Sequence, residues 1–143
     1  MKTMNHEYFV SLEVAKLLKE AGFDWEVNHS YPNVSTLDNS CSGYMEDLSF
    51  YHNLNDGKYG GLSVPTLEVA QKWLRENKDF DINVLTDFDS VKRLYYVRYV
   101  VKDGHYKTYY ISNNRSYVYF NTYEEAQETG IKKVLKIILE KGE

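Results

Sequence analysis

Flat rings and cations alternate through one stretch of the chain. Tyr96, Arg98, Lys102, Tyr106, Thr108, Tyr110, Arg115, Tyr117 and Tyr119 all fall within residues 94–121. Basic groups interleaved with aromatic rings can hold phosphates and stack on bases. The same rings, apolar in body and polar at the tip, also suit a protein interface. Cross-strand tyrosine pairs stabilise a sheet with no ligand at all. The stretch is locally positive, with Arg98, Lys102, Lys107 and Arg115 against Asp103, inside a chain of formal net charge −4. That acidic total argues against a nucleic-acid footprint spread over the whole chain. The candidate surface is therefore Tyr96, Arg98, Lys102, Tyr106, Tyr110, Arg115, Tyr117 and Tyr119.

Other chemistry finds less support. His6, His29, His52 and the single cysteine, Cys41, are scattered, without the short separations of structural zinc sites. Cys41 has no basic neighbour in sequence to lower its thiol pKa, and His29 is expected along a strand edge. Gly57, Gly60 and Gly61 lie close together but lack the Gly-Lys-Ser/Thr ending of a phosphate loop, so they read as a turn. Asp24, Glu26, Asp81, Asp87 and Asp89 read as wet strand faces and loops rather than paired acids and bases. No catalytic, metal-ligating or cofactor-binding residue is assigned, and the chain is expected not to be an enzyme.

The tyrosines must be positioned by strands. Residues 94–102 are β-branched and aromatic, and alternation sorts Tyr95, Val97, Tyr99 and Val101 onto one apolar face. Residues 106–112 follow, with Tyr109 and Ile111 on the matching face. Asp103-Gly104 marks the turn. A two-residue loop would turn the apolar sets to opposite faces, so a three-residue loop, Lys102-Asp103-Gly104, is expected, with Gly104 left-handed. A second turn at Asn113-Asn114-Arg115 leads to a third strand, 117–121, adding Val118 and Phe120 to the apolar face. Thr122 and Glu125 form a capping box, and Ala126, Ile131, Val134, Leu135 and Ile138 recur at helical spacing. Gly130, a poor mid-helix residue, suggests close approach of that helix to the sheet. Together, residues 94–141 make a β-β-β-α unit.

Upstream, Ser11 caps a helix that Gly22 stops, and Phe23, Trp25 and Val27 begin an alternating strand reaching Tyr31. Residues 33–64 carry few signals: an exposed loop to Met45, a short strand near 47–53, a turn at Asn55-Asp56-Gly57 and a return over 58–62 beside it. Pro65-Thr66 opens a second helix to about Asn77, with Val69, Ala70, Trp73 and Leu74 inward. A strand over Phe80, Ile82 and Val84 follows, then a polar connection, 86–92. Ser11-Leu12-Glu13-Val14-Ala15 echoes Thr66-Leu67-Glu68-Val69-Ala70. Either 11–31 and 66–85 are duplicated helix–strand units packed side by side, or capped amphipathic helices have converged on one pattern.

The 143 residues suit a single α+β domain, an antiparallel sheet carrying three helices. One cysteine excludes an internal disulfide framework. A polar start and the lack of a long apolar run point to a cytoplasmic protein without a membrane segment.

Two resemblances add to this reading. The runs Val10–Phe23, Pro65-Thr66-Leu67 with Gln71–Glu76, and Thr122–Ala126 resemble a family of small uncharacterised proteins from phages, prophages and mobile elements of gut Bacteroidetes. That resemblance implies an accessory role in a mobile element and carries over no site residues. The layout of residues 95–134 is similar to sheet-plus-helix DNA-binding modules such as phage integrase arms, though tyrosine stands where those modules carry several arginines. The expectation is a non-enzymatic binding protein acting through protein contacts or self-association. Nucleic-acid binding through the tyrosine/arginine face is the alternative.

Overall fold

A computed structural model describes residues 8–32, 44–57 and 61–141. The chain is α+β, with three helices and antiparallel strands among the described residues, in the order α1 (Leu12–Ala21), β1 (Val27–Tyr31), β2 (Glu46–His52), β3 (Leu62–Ser63), α2 (Leu67–Lys78), β4 (Phe80–Phe88), β5 (Arg93–Asp103), β6 (His105–Tyr110), β7 (Ser112–Asn113), β8 (Ser116–Tyr117) and α3 (Tyr123–Lys141). In place of one sheet the described residues form two three-stranded sheets, β2-β1-β3 and β4-β5-β6, and a two-stranded ribbon, β7-β8. Two compact units divide the chain, residues 1–70 and 71–143. The strands that follow the two echoing helices, β1 and β4, belong to different sheets.

In the first unit, the Ser11 hydroxyl accepts the Val14 N–H, and Gly22 closes α1 in the left-handed region at φ 97°. The Gly22 and Phe23 amides donate to the Lys19 and Leu18 carbonyls, which satisfies the helix end and carries Phe23 into the core. Phe23 and Trp25 thus lie before β1 rather than in it. β1 is the central strand, so His29 does not lie on an edge as expected. Its ring lies 4.3 Å from that of Phe9, with Nδ1 2.9 Å from Asn28 Oδ1 and Nε2 3.7 Å from Asp47. β3 pairs with β1 rather than returning beside β2. Asn55 explains the detour: its side chain donates to the Phe23 carbonyl and accepts the Ser63 N–H, holding the chain across to the far edge of β1. His6, Cys41, most of the expected loop from 33 and residues 58–60 lie outside the described residues.

The second unit is a sheet with a helix on one face. β4 extends to Phe88, so residues 86–88, expected in a connection, are strand, and the turn is only Asp89–Lys92. Asp89 caps this turn by accepting the Val91 and Lys92 amides, and those two bonds lower its carboxyl pKa. The inner face carries Phe80, Ile82 and Val84 opposite Val101, Tyr99 and Val97. α3 packs over β4 and β5. It comes very close at Gly130, where a Cβ would sit 2.8 Å from Val97 Cγ2 and 2.9 Å from Ile82 Cγ2. Ala126, Ile131, Val134 and Leu135 are buried along the helix, as the sequence spacing predicts; Ile138 is half-buried. Thr122 Oγ1 accepts the Glu125 N–H at its start.

The β5–β6 turn keeps the expected faces but not the expected register. Lys102 pairs with Tyr106 and Asp103 with His105, so Gly104 (φ 71°) sits at the centre of the loop instead of its end. Tyr99 faces Tyr109, while the Ile111 N–H donates to the Val97 carbonyl. The third strand is shorter than predicted. A two-residue turn, Asn114-Arg115, with both residues at positive φ, joins β7 to β8, and the chain rejoins β5 only where Phe120 and Tyr95 exchange backbone hydrogen bonds.

Candidate binding surface

The outer face of the β4-β5-β6 sheet is assembled by register. Arg98 stands opposite Tyr110, Val100 opposite Thr108 and Lys102 opposite Tyr106. Beyond Tyr110 the chain leaves β6 and enters the β7–β8 ribbon, in which Tyr117 pairs with Ser112. This ribbon brings Tyr117 beside Tyr96. Tyr119 precedes Phe120 and therefore points to the opposite, outer side.

Four of the candidate residues form one cluster. The Tyr96 and Tyr117 rings are nearly parallel, 4.9 Å apart at 5°, and Tyr110 lies 4.9 Å from Tyr117 at 28°. Tyr119 meets Tyr96 edge-on at 5.9 Å. Such pairs contribute about 0.5–1.5 kcal/mol each beyond the area they bury. The cluster is nonetheless half-open: Tyr117 and Tyr119 each remain 43% exposed. The Tyr119 hydroxyl donates to Asp87 Oδ2 at 3.0 Å, and this bond raises the phenol pKa above its usual value.

Of the candidate cations, Arg98 stands beside the rings, opposite Tyr110. Arg98 Nε donates to Asn83 Oδ1 at 3.1 Å. Lys102 lies toward the other end of the sheet, with its Nζ 6.0 Å from the centre of the Tyr106 ring. Arg115 is exposed at the tip of the β7–β8 turn, where its backbone adopts φ 70°. The candidate set thus divides into a tyrosine cluster of Tyr96, Tyr110, Tyr117 and Tyr119 with Arg98 beside it, Lys102 with Tyr106 toward the other end of the sheet, and Arg115 at the β7–β8 turn.

Four residues of this face went unrecognised in the sequence. β4 supplies Asp81, Asn83, Leu85 and Asp87, opposite Val100, Arg98, Tyr96 and Leu94. Two carboxylates therefore share the surface with the basic groups that made residues 94–121 look positive. The alternation from Asp81 to Asp87 carried the signal, but nothing local told which strand would lie alongside. Among the described residues no group of three His, Cys, Asp or Glu side chains is placed to hold a metal ion, and no helix is long and apolar enough to cross a membrane. Compared with family models, curated proteins and solved structures, the chain matches none.

Proposed function

We propose that this chain is a non-enzymatic binding protein that acts through protein contacts made by the outer tyrosine cluster, in keeping with the accessory role in a mobile element that its resemblance implies. One observation carries the reading. Tyr96, Tyr110 and Tyr117 are stacked on one another, so the surface is a preassembled, half-open aromatic patch. Rings already held in place lose little conformational freedom on binding, and tyrosine is enriched at interface centres. Base stacking needs free ring faces beside cations. Here ring faces are turned to each other, Arg98 is bonded to Asn83, and Asp81 and Asp87 share the face.

The test compares the natural protein with a Tyr117→Ala/Tyr119→Ala variant. The expected outcome is a discrete protein complex, with another protein or as a dimer by light scattering, that the double variant loses. Binding to labelled single- and double-stranded DNA should be absent at low salt. Salt-sensitive DNA binding that the double variant abolishes would replace this reading with the nucleic-acid alternative.

A further inference from the structure

The inner face of the same sheet is only partly covered. Three strands about 4.8 Å apart make a surface wider than a single helix of about 10 Å diameter can cover. α3 sits over β4 and β5. Beside its C-terminal half, toward β6, lies a groove of about 670 Å³. Its floor is apolar and aromatic: Phe80, Tyr99, Val101, Tyr109 and Ile137. Tyr99 and Tyr109 are stacked at 5.3 Å and 21°, forming a flat slab, yet Tyr109 is 44% exposed although it belongs to the inward-facing set.

The banks are basic. Lys107 comes from β6 and Lys133 and Lys141 from the helix, all three exposed, against Glu140 alone. In a chain with more acidic than basic residues, this is a local reversal of charge. Lysines stand on both sides of the apolar floor, so an occupant needs anionic groups on both sides of an apolar stripe. A single-headed fatty acid offers one. An amphipathic helix flanked by glutamates or aspartates offers both. The helix bank runs from Lys133 to Lys141, about 12 Å at 1.5 Å per residue, or roughly two turns of a docked helix.

We propose that this groove docks an acidic amphipathic helix of a partner protein. The partner's apolar stripe lies on Val101, Tyr109 and Ile137, and its carboxylates reach Lys107 on one bank and Lys133 and Lys141 on the other. The site is separate from the outer tyrosine cluster, because it lies on the opposite face of the sheet.

The test uses the full chain and a fluorescein-labelled peptide with a Leu-Leu-Glu-Glu helical repeat, followed by anisotropy. Saturable binding is expected, weakening as salt rises. Lys107→Glu with Lys133→Glu should weaken it by about tenfold or more, as unpaired interface charges do. The neutral pair Lys107→Gln and Lys133→Gln should give a smaller loss. Both lysines are exposed, so circular dichroism should show the native fold in each variant. Tyr117→Ala, on the other face, should bind like the natural chain. No saturable binding at low salt, equal binding of a Leu-Leu-Lys-Lys peptide, or undiminished binding by the folded Lys107→Glu/Lys133→Glu variant would each overturn the proposal. So would displacement of the peptide by monomeric dodecanoate at lower concentration, which would assign the groove to a lipid-like anion.

Discussion

The two faces of the β4-β5-β6 sheet use tyrosine for different ends. On the inner face Tyr99 is 8% exposed, packed at 6.2 Å against Phe80 and stacked on Tyr109. On the outer face Tyr96, Tyr110, Tyr117 and Tyr119 pack mainly on each other and stay half in water. The difference lies in the cover. α3 lies against the inner face because Gly130 lets its backbone approach Val97 and Ile82. No such helix of this unit crosses the outer face among the described residues, so the aromatic surface there supplies its own neighbours. Equal tyrosine content therefore does not mean equal role. Burial under a helix makes one ring part of the core, while self-stacking leaves the others available to a partner.

The largest effect should come from pushing the inner face open. Gly130→Val would force methyl groups into Val97 and Ile82, whose Cγ2 atoms lie only 2.8 and 2.9 Å from where even a Cβ would sit. Overpacking of this kind costs about 1–3 kcal/mol. The expected result is a lower urea midpoint with an unchanged slope; an unchanged midpoint would mean that α3 does not lie close on the sheet.

A smaller loss is expected at a part-buried amide pair. Gln127 Nε2 donates to Gln71 Oε1 at 2.8 Å, and Gln71 Nε2 donates to the Ile82 carbonyl at 2.6 Å, tying α3 to Gln71 and β4. Gln127→Met keeps the bulk but leaves Gln71 Oε1 without this donor, at about 1–2 kcal/mol. Urea unfolding reads it out, and a neutral or stabilising result would show that the amide pair contributes nothing net.

The smallest effect separates the faces by pH. Tyr99 is shifted upward by burial and then by Tyr109, and Tyr119 by its bond to Asp87, both from an ordinary value of 10.0. In each case folding favours the protonated phenol. The associated stability is fully present below that ordinary value and is lost as pH rises through the folded-state value. Absorbance at tyrosinate wavelengths should show Tyr99 and Tyr119 titrating late. Asp87→Asn should return Tyr119 toward the ordinary value and leave Tyr99 late. If both move together, the two faces are not electrically distinct.

Particular elements mark how far the sequence could be read. The caps of α1 and α3 were legible because Ser11, Gly22 and Thr122 act on backbone groups within a few residues, although only the Thr122 half of the expected capping box forms. The inward set of β5 was legible because a strand has a period of two. The same period hid the register: moving the β5–β6 pairing by two keeps every side chain on its face. The pattern cannot distinguish Tyr99 opposite Tyr109 from Val97 opposite Tyr109, and the backbone chose the first. Edge and centre were equally hidden. His29 looked peripheral until β3 crossed to pair with β1.

By itself the sequence determined the α+β class, the helix ends and which side chains of each strand share a face, because these follow from local hydrogen bonding and from alternation along one strand. Only the tertiary structure decided that Asp81 and Asp87 join the tyrosine face, that the β7–β8 ribbon lays Tyr117 on Tyr96, and that α3 leaves a lysine-banked groove next to β6. Those arrangements depend on which distant segments become neighbours, and such pairing is chosen by packing of the whole unit rather than by any short run of residues.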